Sequence, residues 1–150
     1  MTLKNALDHF NRLVSESSKK SEIKVYQEFI NLVAGLEEKN FTQTEIQSIE
    51  TKLNALDFNP TTTNKKKYFS KALKQFKKYL KDTFSLVTKG YYTELGLALG
   101  SSFGVIIGTV FLSSLERSLG ISLGVSIGTL IGLLIGSNLD FQAKASGKMV

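Results

Sequence analysis

The sequence predicts an all-α protein. A small cytoplasmic helical bundle over residues 1–89 precedes a two-span transmembrane helical hairpin over 90–140 and a cytoplasmic tail over 141–150. Three observations lead there. Two long runs, Leu95–Leu115 and Ser118–Leu139, carry no charged residue. Glycine recurs at every fourth position within them, at Gly96, Gly100, Gly104 and Gly108 and again at Gly120, Gly124, Gly128, Gly132 and Gly136. Upstream, apolar residues recur at the spacing of amphipathic helices.

Each apolar run is about 21 residues, or roughly 31 Å as a helix, which matches a bilayer core of ~30 Å. Only Glu116 and Arg117 separate the two runs. One continuous helix would be about twice too long to span once, so two helices joined by a tight turn near Ser113–Ser118 fit better. The competing reading is a buried hairpin in a soluble protein. Nine helix-interior glycines oppose it, because each costs about 1 kcal/mol relative to Ala in water. In lipid the backbone has no competing solvent, and glycine is tolerated in helices.

Lipid tails are as apolar as leucine, so spans associate through close packing, which small residues permit. Four residues advance roughly 400° around a helix, so each row of glycines winds slowly and suits a right-handed crossing. Ser118, Ser122 and Ser126 lie about 200° from the second row. They give that span another small-residue face, which could line a pore, meet a neighbouring subunit, or simply bond back to its own carbonyls.

The runs LGLALGSSFGVIIG and LGISLGVSIGTLIGLLIG resemble those of the bacterial glycine-zipper membrane proteins, over residues 90–148. The resemblance implies an oligomeric assembly, of the kind associated with channels, in the inner membrane of a bacterium. It extends to none of residues 1–89.

Charge is unevenly placed. Residues 1–64 hold seven Lys or Arg against nine Asp or Glu, residues 65–90 hold nine Lys against one Asp, and residues 91–150 balance at three and three. The positive excess therefore sits just before the first span, where anionic headgroups are a better partner than nucleic acid. Lys78, Lys81, Lys89, Tyr91 and Tyr92 are the candidate interface residues. The chain has no cysteine, which excludes disulfides and thiolate metal sites. Met1–Phe10 is polar, so no signal peptide is expected. With Lys77, Lys78, Lys81 and Lys89 before the hairpin and Lys144 and Lys148 after it, both termini are expected to be cytoplasmic.

The bundle reads as four helices. Leu3, Leu7, Phe10 and Val14 mark the first, and a break follows at Ser15–Ser21. Ile23, Tyr26, Phe29, Ile30, Val33 and Leu36 mark the second, ending near Asn40. Thr42 and Glu45 form a capping box for the third, with Phe41 and Ile46 as a staple. Its apolar row is Ile46, Ile49, Leu53 and Leu56. Phe58–Thr63, with the one proline Pro60, reads as a loop. The fourth helix runs over 65–88 with a stripe of Phe69, Leu73, Phe76, Leu80, Phe84 and Val87. That stripe either completes the bundle or lies in the headgroup plane.

No phosphate-binding loop, metal-ligand spacing or Ser/His/Asp set is present, so neither enzyme activity, cofactor nor metal is expected. The single histidine, His9, reads as solvated. Two functions remain. One is an oligomeric ion channel or pore gated by the cytoplasmic helices through a protein or signal ligand. Its mouth would carry Glu94 and Asp140, repeated as acidic rings that concentrate cations. The other is a non-conducting anchor that oligomerises through its glycines and recruits a partner protein. There Glu94 would favour a helix N-terminus and Asp140 would pair with Lys144.

Overall fold

The computed structural model describes residues 1–56, 58, 64–110 and 117–150, the side chain of Arg117 excepted. The expected loop at Phe58–Thr63 and the expected turn at Ser113–Ser118 therefore fall outside the described residues, apart from Phe58, Ser118 and the Arg117 backbone. Among the described residues the chain is helical: α1 (Leu3–Glu16), α2 (Lys20–Glu37), α3 (Gln43–Asn54), α4 (Lys65–Phe84), α5 (Tyr91–Val110) and α6 (Arg117–Ala145). No strand forms there, only an isolated parallel bridge between Val87 and Met149. The helices form two compact units, Met1–Leu86 with Val150, and Val87–Met149.

The first unit is held by side chains. Phe10 from α1 stacks on Phe29 from α2, with ring centroids 4.3 Å apart and planes 10° apart. Phe69 from α4 meets Phe10 and Tyr26 edge-on, at 6.0 and 5.2 Å. Ile49 and Leu53 of α3 and Phe76 and Leu80 of α4 complete the buried cluster. The stripe of α4 is thus spent on this core, and the headgroup-plane alternative loses its apolar face. Edge-to-face rings suit the aromatic quadrupole, and rings of this size bury large areas.

Local signals start these helices. Thr42 Oγ1 accepts from the Glu45 N–H and Glu45 Oε2 accepts from the Thr42 N–H, so the expected capping box is formed. Thr2 caps α1 through the Asn5 N–H, and Asn64 caps α4 through the Lys67 N–H at 3.0 Å. Phe41 packs its ring against Phe84, 5.8 Å away.

Three expectations are corrected here. In α2 the buried face includes Val25 and Leu32, while Ile23 and Ile30 are only half-buried. The apolar arc is wider than one narrow row because α2 is flanked by both α1 and α4. In α4 the helix stops at Phe84, four residues early. Ser85 takes a left-handed conformation (φ 55°), the Leu86 N–H reaches back to the Leu80 carbonyl at 3.2 Å, and Val87 leaves the stripe. That is the paired-carbonyl stop that glycine usually supplies. His9 is half-buried rather than solvated. Its ring lies 5.6 Å from Phe10 and 5.7 Å from Phe58, and its Nε2 is buried with no hydrogen-bond partner among the described residues. Burial first, and the nearby Arg12 second, hold its pKa below the usual histidine value.

The second unit is the α5–α6 pair. Mean hydropathy reaches 1.4 in α5 and 2.0 in α6, and both helices are long and apolar enough to cross a membrane. Only 11% and 22% of those stretches are buried within the protein, whereas the core helix of a soluble protein would be mostly covered. Every large hydrophobic side chain that is exposed among the described residues lies on α5 or α6, from Leu95 to Phe141. α6 continues to Ala145, past the expected end at Leu139. It closes at Gly147 (φ 68°), where the Lys148 N–H bonds the Ala143 carbonyl at 2.9 Å. Lys148 then accepts from the Val87 N–H at 2.9 Å.

Candidate functional site

The two glycine rows meet each other. Gly96 faces Gly132, Gly100 faces Gly128, Gly104 faces Gly124 and Gly108 faces Gly120, so the helices run antiparallel in a fixed register. Gly136 continues the row against the backbone of Tyr92 and Thr93. The approach leaves no room for a side chain. A Cβ on Gly132 would lie 2.0 Å from the Gly96 carbonyl oxygen, and one on Gly128 would lie 2.2 Å from that of Gly100. Real Cβ atoms do not come so close, and the obstructing atoms are backbone, which cannot swing aside. Helices this near bring Cα–H groups against carbonyl oxygens, each contact contributing about 0.5–1 kcal/mol. They also gain dispersion over the whole contact.

Several hydroxyl groups of the unit bond back to their own helices. Ser122 Oγ donates to the Ser118 carbonyl and Ser126 Oγ to the Ser122 carbonyl, both at 2.8 Å. Ser102 and Thr109 do the same in α5, to Ala98 at 2.8 Å and to Val105 at 3.0 Å. Ser118, Ser122 and Ser126 are exposed, and the hydroxyls of Ser122 and Ser126 are satisfied within their own helix.

The sequence offers Asp140 as a pore-mouth residue or a partner of Lys144. The structure gives it other partners. Only 9% exposed, its carboxylate accepts from the Tyr92 and Thr93 N–H groups at 3.0 Å each, and from Thr93 Oγ1 at 2.7 Å. Those donors are among the first N–H groups of α5, which have no partner within their own helix. A carboxylate on α6 thus caps the N-terminus of α5, where the helix dipole favours negative charge. Glu94 stands in the first turn of α5, exposed, with its N–H bonded to the Gly90 carbonyl at 2.9 Å. The structure does not bring it to Asp140 through any hydrogen bond among those two residues' named partners.

Of the expected interface residues, Lys78 is exposed and paired with Asp82, and Lys81 and Lys89 are exposed. Tyr91 and Tyr92 are half-buried in the first turn of α5, their rings edge-on at 5.1 Å. The Asp140–Thr93 clasp was missed by sequence reasoning. The glycine register could have found it, since one turn beyond Gly136 in α6 lies beside the start of α5.

Neither a family model, nor a curated protein, nor a solved structure matches this chain. Among the described residues no group of three or more His, Asp or Glu side chains could hold a metal ion.

Proposed function

We propose that the chain is a two-span membrane anchor for its N-terminal helical domain, residing in a bacterial inner membrane with both termini cytoplasmic. The observation that carries this reading is the glycine-to-glycine contact. It consumes the small-residue rows inside one hairpin and turns the leucine, isoleucine and phenylalanine side chains outward, where lipid would cover them. Ser122 and Ser126 hydroxyls bonded within α6 and an Asp140 carboxylate engaged in capping α5 leave less polar surface for a hydrated path, and such paths usually carry some. Recruiting a protein or sensing a ligand would fall to the helical domain. Any homo-oligomer would then form through the outer faces rather than the glycines.

The experiment is alkaline extraction of cell membranes, followed by reaction of single cysteines with an impermeant thiol reagent. The chain should stay in the membrane pellet. A cysteine at Ser114 should react from outside intact cells, and one at Ser146 should not. Release by alkali, or labelling at Ser146, would defeat the reading.

A channel remains the second reading, favoured by one observation: Ser118, Ser122 and Ser126 form an exposed small-residue stripe on α6 away from the glycine contact. If several hairpins surround those serines, purified protein in liposomes should pass small cations. Absence of flux leaves the anchor.

A further inference from the structure

α4 has two faces of opposite chemistry. Phe69, Ala72, Leu73, Phe76 and Leu80 are buried in the core of the first unit. Lys67, Lys71, Lys74, Lys78 and Lys81 are all exposed. At 100° per residue these five lysines fall within an arc of about 80°, nearly opposite the buried row. They extend over roughly 21 Å of helix at 1.5 Å per residue. Lys77 lies off that arc and reaches Glu28 at 3.2 Å. Asp82, the one carboxylate of α4, pairs with Lys78.

The spacing carries the argument further. Lys67 and Lys71, and Lys74 and Lys78, are four apart, while Lys71 and Lys74, and Lys78 and Lys81, are three apart. Each of these is a like-charge neighbour on the helix surface, and such pairs destabilise a helix. A face meant only for water would intersperse glutamate. An unbroken basic row is relieved when a polyanion lies against it. Only Ser85–Gly90 separates α4 from α5, a chain that reaches about 20 Å when extended. If α5 enters a bilayer, this face is tethered beside the headgroups.

We infer that the lysine face of α4 is a docking surface for anionic lipid headgroups, which hold the helical domain against the membrane when acidic lipid is present. This rests on the two-span reading. Because the apolar row is already buried in the core, the contact is electrostatic rather than insertional, and salt weakens it. Nucleic acid is the other polyanion of matching charge, but nothing tethers it here.

The full-length protein in lipid nanodiscs tests this. The chain has no cysteine, so Ser70→Cys, an exposed position beside the lysine face, gives one site for a donor dye. Energy transfer to a headgroup-labelled lipid is read in discs of phosphatidylcholine and in discs also containing phosphatidylglycerol. Transfer should rise about twofold or more with phosphatidylglycerol and fall back as salt shortens the Debye length. The triple variant Lys67→Glu, Lys71→Glu, Lys74→Glu should abolish that rise with helix content unchanged by circular dichroism. The control Lys4→Glu, Lys20→Glu, Lys24→Glu, at exposed sites on α1 and α2, should keep it. Transfer independent of phosphatidylglycerol, or equal loss in both triple variants, overturns the inference while leaving the anchor intact. So does salt-sensitive duplex DNA binding by the detergent-solubilised protein without any lipid response. Failure to enter discs at all overturns the membrane reading and this inference with it.

Discussion

The two units of this chain solve the packing problem with opposite materials. In the first, Phe10, Phe29 and Phe69 supply volume, and helices are held apart by the rings that fill the space between them. In the second, the helices are in backbone contact and the large side chains point away. Water rewards burying apolar area, so a soluble core is built from what can be buried. Lipid, in which we propose the second unit lies, offers no such reward, and a helix pair there is built from what can be left out. One rule follows: deleting side-chain atoms injures the first unit, and adding them injures the second.

The largest effect should come from adding. Gly128→Leu places a side chain where even a Cβ would sit 2.2 Å from the Gly100 carbonyl oxygen, so α5 and α6 must separate. The expected cost exceeds about 3 kcal/mol, because overpacking here cannot be relieved by rotamers. Denaturation in mixed micelles, followed through a fluorophore pair on α5 and α6, reads it. A stable pair in this variant would break the comparison on the side of the second unit.

Deletion is next. Phe29→Ala, at a fully buried ring, should cost about 3–5 kcal/mol in chemical denaturation of the helical domain. By contrast Leu133→Ala, at a side chain 40% exposed on α6, should change the stability of the pair by less than about 0.5 kcal/mol. Similar losses at both positions would mean that the outer face of α6 is packed rather than lipid-covered.

Polar contacts rank lower. Asp140→Ala removes three hydrogen bonds, accepted by two carboxylate oxygens, from the start of α5 and should cost the pair about 2 kcal/mol. Faster hydrogen exchange should be confined to the N–H groups of Tyr92 and Thr93. Lower still, Ser85→Gly should stabilise the helical domain by up to about 1 kcal/mol, since Ser85 holds a left-handed conformation that glycine adopts without strain. A destabilised variant would show that the Ser85 side chain contributes more than its backbone costs.

The smallest effect is a pH dependence at Glu45. The Thr42 backbone N–H holds its carboxyl below the ordinary value of 4.5, with the Thr42 hydroxyl adding to this. The folded state therefore favours the ionised form. Its contribution is fully present above 4.5 and is lost as pH falls through the lowered native value. Wild type and Glu45→Gln should thus differ at neutral pH and converge in acid. A constant difference would place the effect elsewhere.

What the sequence revealed tracks how local each signal is. The capping box at Thr42 and Glu45 lies within four residues, and it forms as read. The glycine rows and the charge-free runs disclosed two helices of spanning length, because period and composition are carried by each run alone. The stop at Ser85 was not legible, since serine carries no strong left-handed signal and the apolar spacing continues to Val87. Nor was the burial of Val25 and Leu32, which depends on how many neighbours flank α2. Asp140 stands out in the sequence, but its hydrogen-bond partners do not. Its partners lie 47 and 48 residues away, and they emerge only once the two rows are laid in register.

That register raises a matter of its own. A repeat of four against a repeat of four is a ruler with identical marks. Sliding α6 by four residues, about 6 Å along the axis, sets glycine against glycine again, keeping four rungs of the ladder in one direction and three in the other. The rungs are therefore good at holding and poor at choosing. Asp140 is different, because its carboxylate meets the Tyr92 and Thr93 N–H groups at one offset and misses them after a slip. The clasp acts as an index pin, and the backbone seam supplies the grip on whichever mark the pin selects.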